Sequence, residues 1–150
     1  MPCSQNVAFE GIAPSDAEFA HPPGLSIIRM LTTGLRNAGW SVSDFENWRD
    51  CGWSLECNRQ EATLLVALAQ TEGQKWMLQI SPLRVPGPLG RLFGGKRSAA
   101  PRDVFELARA VHALLAHETT FSQMRWRWDG YPDEARSTLE PAEPESQTSS

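Results

Sequence analysis

At 150 residues, with 41% hydrophobic residues and six Trp, the chain has enough apolar surface to bury a core without a metal or disulfide framework, and it is not of the disordered class. The formal net charge of −4 is concentrated at one end. From Pro132 to Ser150 five acids (Asp133, Glu134, Glu140, Glu143, Glu145) face Arg136 alone, so the body is formally neutral and lacks the basic footprint of a general nucleic-acid binder.

Residues 1–23 are rich in Pro, Ala, Ser and Gly without periodicity and read as a loose arm, with Val7-Ala8-Phe9 able to dock. Pro22-Pro23-Gly24 ends it. A helix is expected from about Leu25 to Ala38, because Leu25, Ile28, Leu31, Leu35 and Ala38 form one apolar stripe and Gly39 supplies a stop. Gly34 inside that stripe favours close packing. Trp40 to Ser43 begins a short strand, and Asp44 to Gly52 has no clean period. Three strands follow at about 53–58, 62–70 and 75–81, whose alternation places Trp53, Leu55 and Cys57, then Leu64, Val66 and Leu68, then Trp76, Leu78 and Ile80 on one side. Pro82 to Ala100 breaks periodicity. A second helix begins near Pro101, a favoured first-turn residue, with Asp103 complementing the positive helix end and Val104, Leu107, Ala108, Val111, Leu114 and Leu115 on its apolar face. Met124, Trp126 and Trp128 alternate with Arg125 and Arg127 in a returning strand. From Pro132 onward the composition predicts a disordered acidic tail. The expected class is α+β, in the order α-β-β-β-β-α-β: two helices on an antiparallel meander of four or five strands, within a single domain over 24–131.

No local pattern specifies a chemistry. The sharpest motif, Gly90-Arg91-Leu92-Phe93-Gly94-Gly95-Lys96-Arg97, matches the first part of a phosphate-binding loop. Arg97 stands where a magnesium-binding hydroxyl is needed, however, and a Pro-rich stretch replaces the preceding buried strand. The three Cys (Cys3, Cys51, Cys57) lack C-x-x-C spacing, which suits reduced thiols. His112 and His117 are five residues apart, off the i, i+4 spacing that metal binding prefers. No catalytic, cofactor or metal residues are assigned, and no cofactor is expected. Arg125-Trp126-Arg127-Trp128 resembles a base-stacking strip, but period-two alternation explains it as a buried Trp side and a solvated Arg side. Two segments lack a periodic explanation. One is the loop holding Arg84, Arg91, Leu92, Phe93, Lys96 and Arg97; the other is Trp48 with Arg49 beside it. Aromatic and Arg residues in polar surroundings are the composition of interface hot spots, so these residues are the candidate partner-binding set.

The order of a helix, Ala38-Gly39-Trp40, a meander, a second helix and a returning strand, over about 25–128, resembles the type III secretion chaperone-like fold group. The resemblance implies a small cytosolic protein, in many cases a homodimer, that binds a segment of another protein. The expectation is therefore a non-enzymatic, cytoplasmic protein-binding module, chaperone-like or immunity-type, that escorts or masks a partner protein. No secretory signal opens the chain, and no apolar run approaches the ~20 residues needed to span a bilayer, so neither membrane nor nucleic acid is expected as a partner. The alternative is an anion- or nucleotide-binding protein or enzyme using the basic Gly-rich 84–97 loop.

Overall fold

The computed structural model describes residues 3–12, 23–60, 62–83 and 99–144. Their elements run in the order β1 (Gln5–Gly11), α1 (Leu25–Asn37), β2 (Ser41–Val42), β3 (Glu46–Trp48), β4 (Gly52–Arg59), β5 (Ala62–Glu72), β6 (Lys75–Pro82), α2 (Pro101–His117) and β7 (Phe121–Trp128). The class is α+β; the described residues form two helices and one antiparallel sheet in the order β2-β4-β5-β6-β1-β7, β3 sharing the outer edge of β4 with β2.

Both helices pack on the same side of the sheet. The inward positions of every long strand follow the period-two alternation: Val7 and Phe9, Leu55 and Cys57, Leu64, Val66 and Leu68, Trp76, Leu78 and Ile80, and Trp126 join Ile28, Leu31, Leu35, Leu107, Val111 and Leu115 in one core. A Cβ placed on Gly34 would lie 2.5 Å from the Leu114 side chain, so glycine is what lets α1 approach α2 this closely. The Asp103 carboxylate accepts the Ala100 N–H at 2.8 Å, satisfying one free donor where α2 starts.

Three expectations are corrected. Within the segment read as a loose arm, Gln5–Gly11 is a strand inserted between β6 and β7, with Val7 and Phe9 fully buried. Its pairing partners are about 70 and 120 residues distant in sequence, so no local turn signal announces it. The sheet has seven strands rather than four or five, because β1 and β3 both pair, and β1 also places a strand ahead of α1 in the element order. The predicted tail is in contact with the body through residue 144, while 145–150 lie outside the described residues. Trp126 and Thr138 exchange backbone hydrogen bonds of 2.8 and 2.9 Å, and the Ala142 carbonyl accepts from Trp128 Nε1 at 3.0 Å and Gln5 Nε2 at 3.3 Å. Proline and acidic content argued for disorder, but the free edge of β7 offers backbone partners that composition does not record.

Candidate protein-docking face

Residues directly opposite one another in antiparallel strands share a face of the sheet. The registers therefore extend across the molecule as continuous rows on the face turned away from the helices. One row runs Trp48–Gly52–Ala69–Met77–Ala8–Arg125. The next runs Glu46–Ser54–Ala67–Gln79–Asn6–Arg127. Six strands at 4.7–4.9 Å spacing make each row about 24 Å long.

The composition of this face is unusual for a sheet surface. The floor of the first row is small or apolar (Gly52, Ala69, Met77, Ala8), that of the second mixes Ala67 with Ser54, Gln79 and Asn6, and Trp48 and Glu46 stand at one end with Arg125 and Arg127 at the other. Neither helix covers it: Leu65, Ala67, Ala69, Met77 and Ala8 are all missing from the core that the helices close. Strand β5 shows the consequence in sequence. Leu64 to Ala69 is an unbroken apolar run, the pattern of a strand covered on both faces; the two described helices cover one of them, and on the other Ala67 is buried while Leu65 and Ala69 are half-buried.

The Trp48 end is built by local geometry. Cys51 N–H bonds the Trp48 carbonyl at 3.0 Å, and Arg49 and Asp50 both adopt positive φ (53° and 59°). That is the pattern of a type I′ hairpin turn, which matches strand twist. The Asn47 side chain accepts the Asp50 N–H at 2.7 Å and reinforces the turn. A Cβ on Gly52 would lie 1.8 Å from the Leu68 carbonyl oxygen, so only glycine lets β4 run this close to β5. Opposite Gly52, Trp48 stands half-buried with the Arg49 guanidinium 5.8 Å from its ring centre. At the far end Arg127 donates to the Tyr131 carbonyl at 3.1 Å and lies against Gly130, while Arg125 is half-buried beside Ala8. Asn6, buried between Gln79 and Arg127, donates from Nδ2 to the Gly130 carbonyl at 2.9 Å, and its Oδ1 has no hydrogen-bond partner among the described residues.

Of the sequence-predicted partner-binding residues, Trp48 and Arg49 fall at the end of this face. Arg84, Arg91, Leu92, Phe93, Lys96 and Arg97 lie outside the described residues, and with them the phosphate-loop-like motif. The alternation of Arg125 and Arg127 with Trp126 and Trp128 divides as expected, the two Trp inward and the two Arg outward. Sequence reasoning missed Ala8, Ala67, Ala69 and Met77. For Ala67 and Ala69 the signal was present in the unbroken apolar run of β5, but it was read only for its inward half.

Two groups capable of nucleophilic or acid–base chemistry have structural occupations. Burial pushes the Cys57 thiol up to about 12, which keeps it protonated and inert. His112 Nδ1 accepts the Trp126 indole N–H at 3.1 Å, which fixes the neutral ring with its proton on Nε2, and burial lowers its pKa against the opposing pull of Glu140. Among the described residues no three His, Cys, Asp or Glu gather closely enough to hold a metal ion, and no helix is long and apolar enough to cross a membrane.

No protein-family model matches the chain, and no curated protein matches it in sequence.

Proposed function

We propose that this chain is a non-enzymatic protein-binding module whose docking surface is the helix-free face of its sheet. The single observation that carries this reading is the small, apolar row Gly52–Ala69–Met77–Ala8 on that face, with β5 apolar on both sides. Solvated sheet faces alternate toward polar residues, whereas Ala69, Met77 and Ala8, half-buried beside the buried Gly52 and Ala67, keep a contiguous exposed strip that gains free energy by being covered. Trp48 at one end and Arg125 and Arg127 at the other are the residue types that dominate interface energetics. Placed in the cytoplasm, a module of this size would escort or mask its partner in the manner of a chaperone or an immunity protein, as the element order suggests.

The test is a pull-down with tagged full-length protein, from lysate of its cells of origin supplemented with untagged chain. The wild type is expected to retain a protein near stoichiometrically, either the untagged copy or a different chain. Ala69→Arg, which raises a long cation from the floor, should lose it while keeping the native far-ultraviolet spectrum. Equal recovery by both proteins, or recovery of nothing by the wild type, would overturn the assignment.

A further inference from the structure

We propose that the protein on this face is a second copy of the same chain, related by a two-fold axis parallel to the strands that passes between β5 and β6. The inference rests on the docking-face reading above and names its partner. Rotation about such an axis lays one sheet on the other and reverses each row while preserving strand direction. Each row is then read against itself backwards, the isologous arrangement in which residue i meets j and j meets i.

The rows are complementary under that operation. In the first, Trp48 meets the second copy's Arg125, an aromatic face opposite a guanidinium, and Gly52 meets Ala8. Nearest the axis, Ala69 meets the second copy's Met77, a small residue opposite a flexible one that fills the space it leaves. In the second row Glu46 meets Arg127, carboxylate against guanidinium. Six strands with acid and aromatic at one end and two Arg at the other are what a two-fold pair requires. A two-fold perpendicular to the strands would instead bring Trp48 against Trp48 and Arg125 against Arg125, with like charges opposed. Aligned sheets cross at about −30°, so pairing is tightest at the axis and loosens toward the row ends. Ala69 and Met77, beside the axis, are accordingly the most sensitive positions.

Light scattering on the full-length protein tests the proposal. The wild type should have the mass of two chains, and Ala69→Arg the mass of one. Glu46→Arg sets a cation against Arg127 of the second copy and should weaken the dimer by about tenfold or more; Arg127→Glu should do the same, and the double variant should recover most of the loss. Glu46 is exposed, so its variant keeps the test open if a floor substitution fails to fold. A monomeric wild type, a dimer indifferent to Ala69→Arg, or a charge-swapped pair that fails to recover would each overturn the second-copy assignment. A monomeric wild type that still captures a different protein, and loses it in Ala69→Arg, would leave the docking face standing with another partner.

Discussion

The two faces of the sheet are made from the same strands and follow opposite rules. On the helix side, each strand contributes a large side chain every second residue, and α1 and α2 close over them until Val7, Ile28, Leu64, Leu78, Val111 and Trp126 are fully buried. On the other side, between the row ends, the same strands present Ala, Gly, Ser, Gln, Asn and one Met, which pack less tightly within one chain. A face that stabilises the monomer should be sensitive to truncation. One that recognises a partner should be sensitive to enlargement, and substitutions can separate the two.

The largest effect is expected from emptying the helix side. Trp126→Ala removes a fully buried indole and its bond to His112, and should cost about 3–5 kcal/mol of unfolding free energy, read from urea denaturation. A loss under about 1 kcal/mol would mean that the core is not organised around this strand. Next in size is Gly52→Ala, whose added methyl would meet the Leu68 carbonyl. Separating β4 from β5 to admit it should cost about 1–3 kcal/mol and displace Trp48 from the end of its row. The substitution therefore lowers stability and partner capture together, where other outer-face changes affect capture alone. Far smaller in stability terms is Ala69→Arg, expected to shift the unfolding of dilute protein by less than about 1 kcal/mol while abolishing assembly. Comparable losses from Ala69→Arg and Trp126→Ala would erase the distinction between the faces.

How far this division was legible in the sequence depends on the range of the interaction that encodes it. The helices, β4 to β6, and the Trp-in, Arg-out division of β7 rest on local periodicity, and the chain displays them openly. β1 was hidden because its partners lie at the opposite end of the chain, and a seven-residue strand without a hairpin of its own has no punctuation. The docking face was hidden for a related reason. Ala8, Ala69 and Met77 are unremarkable individually and become a surface only when two registers align them. Trp48 was noticed because it had no periodic explanation; its place opposite Gly52 supplies one.

The smallest prediction concerns the seam where α2, β7 and the C-terminal segment meet. His112 on α2 accepts the Trp126 indole proton at Nδ1, while Glu140, from the segment that pairs with β7, is the charged group acting on it. Burial lowers the folded-state pKa below the ordinary 6.5, so the unfolded chain takes up the proton first. The resulting stability is fully present above that value and drains as pH falls through it toward the folded pKa, because an imidazolium has no acceptor left for the indole. Asp133, held low chiefly by its side-chain hydrogen bond to Arg136, loses its contribution only below its ordinary 3.8, outside this window. The urea midpoint should therefore drop between about pH 7.5 and pH 5.5, and His112→Gln, whose amide oxygen still accepts a hydrogen bond, should flatten that drop. An equal drop in the variant would assign the acid sensitivity to other groups and leave His112 a packing residue. A flattened one would show that the helix side contains its own titrating contact, whereas the proposed pairing of outer faces would respond to salt through Glu46 and Arg127.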